Sequence, residues 1–148
     1  HMRRGKPEEA EASYRAAFER DPEDIDIRSR MGRILMNKEP ERAREFLEQV
    51  CAENAHHDYG STLMCLAEIY RKLGRTDDSI KAWEMVLGKN AYARAKVQLA
   101  ELLLERGEKD RAHNLLKEAI SEHEFAPKFA KASEKAWIKR AKGLLGKG

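Results

Sequence analysis

The sequence contains few β-branched residues and no long apolar segment. Its 148 residues include three Val, seven Ile and two Thr, against twenty Ala, fourteen Leu and nineteen Glu. Because β-branched residues are enriched in strands while Ala, Leu and Glu favour helices, this balance argues against any substantial sheet. The longest apolar run, at 63–67, has five residues, where a membrane-spanning helix needs about 20. The composition therefore predicts an all-α chain without a bilayer span.

Cysteine is scarce as well. Cys51 and Cys65 lie fourteen positions apart and form no Cys-x-x-Cys motif. This spacing favours two buried, reduced thiols in a reducing compartment over the alternatives of a disulfide or a metal pair. We interpret His1–Met2 as a cloning scar. We therefore expect the native chain to begin earlier, and an anchor encoded upstream would not be part of this sequence.

Proline and glycine mark the ends of the expected helices. Proline fits the first turn of a helix, and all four prolines stand where a helix could begin or be separated from the next. Gly74 and Gly107 each end a periodic segment, as expected of left-handed C-terminal caps. Divided at these marks, the sequence predicts helices near 7–20, 24–37, 40–53, 60–73, 77–87, 92–106, 109–122 and 127–145.

The helices repeat with a period of about thirty-four residues. Seven positions of one segment recur thirty-three positions later: Leu66, Ala67, Tyr70, Gly74, Ser79, Trp83 and Val86 correspond to Leu99, Ala100, Leu103, Gly107, Ala112, Leu116 and Ala119. One helical hairpin per period is typical of a helical solenoid, because a single hairpin cannot bury its own apolar face.

The spacing of these residues resembles the tetratricopeptide repeat family, with Leu66-Ala67 and Tyr70 on a first helix and Trp83 on a second. The resemblance implies an all-α, right-handed superhelix of about three and a half hairpins plus a C-terminal capping helix. After the scar at 1–2, it implies a single domain over 3–148. Its parts are a half repeat at 5–23, repeats at about 24–57, 58–90 and 91–125, and a basic capping helix at 127–145.

The array opens with half a unit. A helix at 7–20 without its hairpin partner leaves Ala10, Tyr14 and Phe18 in need of a cover. We favour a native chain that continues upstream. The alternative is that another molecule, including a second copy of this chain, covers the helix.

The C-terminal helix carries two stripes. We expect the apolar stripe to cap the last hairpin and to cover the helix at 92–106, which is apolar almost all round. This stripe consists of Phe129, Ala132, Ala136, Trp137, Ala141 and Leu144. We interpret the second stripe as a solvated face. Its alternative role is to dock on nucleic acid or an anionic membrane. Nucleic acid is disfavoured because lysine lacks base-reading geometry, and membrane insertion because Phe129 is needed inside. This lysine stripe consists of Lys128, Lys131, Lys135, Lys139 and Lys142.

No catalytic pattern stands out in the sequence. His56-His57-Asp58 could in principle bind a metal, but adjacent side chains diverge and no third ligand follows at a suitable spacing. We expect a solvent-exposed turn there, with Asp58 as a helix N-cap. The sequence therefore predicts a protein that is not an enzyme and needs neither a metal nor a cofactor.

The resemblance also implies a binding surface, because tetratricopeptide proteins commonly hold a peptide or a partner's helix against the first helices of their hairpins. We therefore expect a cytoplasmic, or cytoplasm-facing, adaptor for a protein partner whose identity the sequence does not give. The expected groove residues are Asp26, Ser29, Arg33, Met36, Met64, Glu68, Arg71, Arg94, Val97 and Glu101.

Overall fold

A computed structural model describes residues 2–146 of the chain and, from residue 8 onward, their side chains. His1, the first residue of the expected cloning scar, and residues 147–148 lie outside the described residues. The described part is all-α, as predicted, and no residue in it lies in a strand. Its helices are α1 (Met2–Arg20), α2 (Ile25–Leu35), α3 (Pro40–Glu53), α4 (Ser61–Lys72), α5 (Thr76–Leu87), α6 (Ala93–Glu105), α7 (Lys109–Glu124) and α8 (Lys128–Gly146), with a short 3₁₀ turn at His57–Gly60.

The helix boundaries follow the prolines and glycines except at the N-terminus. Pro40 occupies the first turn of α3, and Pro127 directly precedes α8. Helix α1 starts at Met2, so Pro7 lies inside it, and the predicted start at residue 7 is wrong. Proline keeps a helical φ and removes one N–H donor, which a helix tolerates best near its beginning.

Two glycines end α4 and α6 as predicted. Gly74 and Gly107 have φ values of 77° and 79°, in the left-handed region that other residues rarely adopt. The next residue in each case folds back, and its N–H donates to the carbonyl five residues earlier at 2.8 Å, Arg75 to Tyr70 and Glu108 to Leu103. These bonds satisfy carbonyls that would otherwise be unpaired at the helix ends.

The turn before α4 differs from the prediction. Asp58 does not cap the helix, because Gly60 holds the N-cap position and no side chain bonds to the helix there. Asp58 and Tyr59 instead have φ values of 54° and 56°, a conformation that costs energy for residues with a Cβ. His57 is buried, so the expectation of a solvent-exposed turn is wrong for this residue.

The chain forms two compact units, residues 1–79 and 80–148, with the boundary inside α5. In the first unit α2 packs against α1 and α3, and α3 packs against α4. The crossing of α2 and α3 is close at Gly32, beside the fully buried Leu47. Helix α1 is partly covered, because Phe18 packs edge-to-face on Phe46 with ring centroids 5.2 Å apart, whereas Ala10 is exposed.

In the second unit α6 packs against both α7 and α8. Every residue from 95 to 100 is buried, which confirms the expectation that α8 covers the apolar α6. Ile138 of α8 forms a core cluster with Ala93 of α6 and Ala119 of α7, and Trp137 packs against it. This packing buries apolar area that α6 and α7 alone would leave in water.

The apolar stripe predicted for α8 is wrong in part. Phe129 is 80% exposed, and Ala132 and Ala136 are exposed too, so these residues do not cap the hairpin. The inner face centres on Ile138, which the prediction left out, and on Ala141, which it included. The helix is rotated relative to the prediction because Ile138 packs against Ala93 of α6 and Ala119 of α7.

Candidate functional site

A polar cavity of about 420 Å³ lies in the first unit, beside α2 and the turn before α4. Three of the predicted groove residues, spaced three and four positions apart on one face of α2, line it. The turn adds two side chains and α2 adds one more that the sequence did not single out as groove residues. The lining residues are Asp26, Ser29, Arg30, Arg33, His57 and Asp58.

His57 joins α2 to α4 through both of its ring nitrogens. Its Nε2 is 2.7 Å from Asp26 Oδ1, and its Nδ1 is 2.7 Å from Thr62 Oγ1. Because a carboxylate only accepts hydrogen bonds, Nε2 donates to Asp26; in the neutral imidazole Nδ1 then accepts the Thr62 hydroxyl proton. Ser29 Oγ lies 3.0 Å from Thr62 Oγ1 and continues the chain of hydrogen bonds.

The order carboxylate, imidazole, hydroxyl has the connectivity of a catalytic triad, but the burial of Thr62 argues for a structural role. Thr62 is fully buried. Its oxygen also lies 3.3 Å from the Nη2 donor of Arg33. A nucleophile needs an approach path for the substrate carbonyl, and this hydroxyl has none. The network is therefore arranged to hold His57 and the turn in place.

Two arginines of α2 differ in how they are held. Arg33 Nη2 donates to Ser61 Oγ at 2.8 Å and forms an ion pair with Asp58 at 3.2 Å. Arg30 is exposed, and within the described part of the chain it has no ion-pair partner. Asp26, whose carboxylate is 80% exposed, adds a negative charge at the rim. The cavity therefore presents both charge signs, with the Arg30 guanidinium unpaired.

The remaining predicted groove residues do not share this cavity. On the first unit Met64 is buried, whereas Met36, Glu68 and Arg71 are half-buried. In the second unit Val97 has no exposed surface, so it cannot contact a ligand, and its assignment to a groove is wrong. Helix α6, which carries Val97, packs against both α7 and α8.

Glu101 and Arg94, the other predicted residues of the second unit, are half-buried. Glu101 accepts two hydrogen bonds of 2.6 Å from the Nε and Nη2 atoms of Arg140 on α8. The Arg140 guanidinium also stacks over the Trp137 ring, 5.1 Å from its centroid. Arg140 of α8 therefore already pairs with the Glu101 carboxylate, which the sequence predicts as a contact for a partner.

Sequence reasoning missed His57, Arg30 and Thr62 as parts of the site. His57 and Asp26 are thirty-one positions apart, and no periodicity links a turn residue to a helix of the preceding hairpin. The available signal is the histidine pair at 56–57, in a turn whose sequence pattern predicts exposure to solvent.

All five residues of the lysine stripe are exposed on α8. In the same unit Phe125, in the turn before α8, is 85% exposed. Glu134, the acidic residue of α8, points instead toward His123, with 3.1 Å between its Oε1 and the histidine Nδ1.

Neither a metal site nor a membrane span is found in the part of the chain that is described. No three or more His, Cys, Asp or Glu side chains there are grouped so that they could hold a metal ion. None of the described helices combines the length and the apolar character that crossing a bilayer requires.

Comparisons with known proteins agree on one family. Two models described as tetratricopeptide repeat match residues 1–64 and 66–128. A search of curated proteins finds no match.

Among solved structures, MamA has a TM-score of 0.71 at 18% identity, covering 99% of this chain and 92% of that one. A putative kinesin light chain from Podosopora anserina, with nearly identical TPR-like repeats, has a TM-score of 0.73 at 19% identity and coverages of 98% and 81%. PcrH, solved in complex with the chaperone binding region of PopB, has a TM-score of 0.69 at 17% identity and coverages of 81% and 93%. At these identities the likeness concerns the fold.

Proposed function

Because this chain belongs to the tetratricopeptide repeat family, we propose that it is a non-catalytic interaction scaffold and that a protein partner binds at the α2 cavity. The observation that carries the proposal is the meeting of Asp26, Ser29 and Arg33 around one cavity of about 420 Å³. A volume of this size accepts a side chain and a short stretch of peptide backbone. The PcrH structure, with a bound region of another protein, offers a precedent on the same fold.

The cavity is pre-organised for binding. The His57 ring is hydrogen-bonded to the Asp26 carboxylate, and Arg33 is held by Asp58 and Ser61. Ordering side chains at an interface costs about 0.5–1.5 kcal/mol each, and a ligand is spared this cost where the side chains are already held. Affinity at such a site depends on a few good contacts more than on buried area.

The charges of the cavity favour a partner segment with one carboxylate. Arg33 is paired with Asp58, so Arg30 is the cation that remains for a ligand. A guanidinium binds a carboxylate through two parallel hydrogen bonds. The two aspartates at the rim disfavour a second negative charge nearby. We therefore propose an extended peptide with a single acidic group, and, since Cys51 and Cys65 are free thiols, a cytoplasmic or cytoplasm-facing location.

The test starts from peptides selected on the wild-type protein from a random displayed library, with dissociation constants measured by fluorescence anisotropy. Arg30→Glu should weaken the selected acidic peptides by at least about tenfold, because a charge-assisted pair becomes a repulsion. Arg20→Glu, on the exposed end of α1, is the matched control and should leave binding unchanged.

The double variant Arg33→Glu with Arg71→Glu is a second, less specific test. Arg33 also holds the turn before α4, so this variant should lose stability as well as binding. Selected peptides that bind Arg30→Glu and the double variant as tightly as the wild type would contradict the proposed site.

A further inference from the structure

The outer side of α8, together with the turn before it, combines exposed aromatic rings with unpaired positive charge. Phe125 and Phe129 are 85% and 80% exposed. A phenyl ring left in water gives up a large part of the free energy that its burial would provide. Both rings lie outside the core and are available to another phase or molecule.

The positive charge on this side is not neutralised by the protein. None of the five lysines of the lysine stripe has an ion-pair partner among the described residues. Glu134 faces inward to His123, and Arg140 is committed to Glu101. The outer side of α8 therefore carries five cations and no acidic side chain.

The two features lie side by side along the helix. Lys128, Lys131, Lys135, Lys139 and Lys142 follow one another at steps of three or four residues and span about 21 Å at 1.5 Å per residue. Phe129, Ala132, Ala136 and Gly143, all exposed, form a neighbouring strip of one ring and small residues. A straight cationic row beside a shallow apolar strip matches an extended, nearly flat anionic surface.

We propose that the outer side of α8 and Phe125 dock this protein on the surface of an anionic lipid bilayer. The phenyl rings of Phe125 and Phe129 enter the boundary between headgroups and acyl chains, while the lysine ammonium groups bind lipid phosphates and carboxylates. The Ala and Gly positions let the helix approach the surface closely. The exposure of Phe129 removes the objection that this ring is needed for the cap.

The same observations favour a bilayer over nucleic acid. Lysine is a point charge without the planar fork that reads base edges, and the stripe contains no arginine. The apolar strip gains nothing from a phosphate backbone, whereas it gains from the interfacial region of a bilayer. This surface is distinct from the α2 cavity, so the two proposals can fail independently.

The experiment is co-sedimentation of the full chain with vesicles of phosphatidylcholine alone and with 30% phosphatidylserine added, at about 50 and 300 mM salt. Wild-type protein should bind the anionic vesicles, bind neutral ones at least about tenfold more weakly, and lose affinity at the higher salt. Lys131→Gln, Lys135→Gln and Lys139→Gln combined should weaken binding by about a hundredfold, at about fivefold per lysine.

A matched triple, Lys81→Gln, Lys89→Gln and Lys109→Gln, removes the same charge from exposed positions outside α8 and should change affinity by no more than a few fold. Phe125→Ser with Phe129→Ser should weaken binding at least about tenfold. Met85→Ser, at a half-exposed apolar residue of α5, should leave the affinity for anionic vesicles unchanged. Circular dichroism should show unchanged folding, because every substituted side chain is exposed.

Three results would overturn the proposal. One is equal binding to neutral and anionic vesicles. Another is an equal effect of the two lysine triples. The third is a combined result: the phenylalanine double variant binds vesicles as tightly as the wild type, and generic RNA displaces the wild-type protein from the vesicles. That result would assign the lysine stripe to nucleic acid.

Discussion

The close crossing of α2 and α3 at Gly32 leads to a prediction with an internal control. A Cβ added at Gly32 would clash with Leu47 Cδ2 and lie 2.6 Å from Leu47 Cγ, well inside van der Waals contact. Leu47 is fully buried, so its side chain has no open space to move into. Gly32→Ala must therefore separate the two helices or force Leu47 away from its preferred rotamer.

The size of the effect follows from two opposing contributions. Overpacking of a filled core costs about 1–3 kcal/mol of unfolding free energy. Replacing Gly by Ala inside a helix returns about 1 kcal/mol, because Gly loses more backbone entropy on folding. Gly32→Ala should therefore destabilise the protein, by up to about 2 kcal/mol. Gly143→Ala, at a position in α8 with no atom within 4 Å of the added Cβ, should stabilise it by up to about 1 kcal/mol.

The measurement is urea unfolding followed by circular dichroism for both variants. With a slope of about 1–3 kcal/mol per molar urea, the two midpoints should move in opposite directions. A double variant of Gly32→Ala with Leu47→Ala should lose less stability than the sum of the single changes, because the clash is gone. If Gly32→Ala is as stabilising as Gly143→Ala, the crossing is not as close as described.

Two further predictions concern α3 and α4. Ala67 is fully buried, and its carbonyl accepts a 2.7 Å hydrogen bond from Ser79 Oγ. Ala67→Leu should therefore lower the free energy of unfolding by about 1–3 kcal/mol and lower the melting temperature. An unchanged melting curve would contradict this packing. Burial, and secondarily the neighbouring Cys65, raises the pKa of the Cys51 thiol from 9.0 to about 11. In a Cys65→Ala variant burial still raises the pKa of Cys51, so its alkylation at pH 9 should be slower than that of a free thiol and should keep rising above pH 9. A plateau near pH 9 would disprove it.

Much of the fold could be predicted because its determinants are local. The repeat period predicted the family and the all-α class, and both are confirmed. Gly74 and Gly107 end their helices because the chain turns back there through a left-handed backbone conformation. Glycine adopts this conformation most readily, so the residue type alone predicts the helix end. The cover of α6 could be predicted as well, since a helix that is apolar all round cannot face water.

The errors share a different cause, which is dependence on contacts distant in sequence. Helix α8 offers two apolar strips, one through Phe129 and one through Ile138, and hydrophobicity alone favours the larger ring. Contacts with α6 and α7 decide for Ile138. His57 was placed in solvent because its partners Asp26 and Thr62 lie on other elements, and the left-handed Asp58 carries no sequence signal of its own.

The burial of α6 also determines which amides of the second unit are best protected from solvent exchange. Residues 95–100 are enclosed on successive sides, with α7 on one flank and α8 on another. Their N–H groups can meet deuterium only after a neighbouring helix has come away, whereas α8, with one whole side in water, can fray alone. Slow exchange should therefore peak in α6.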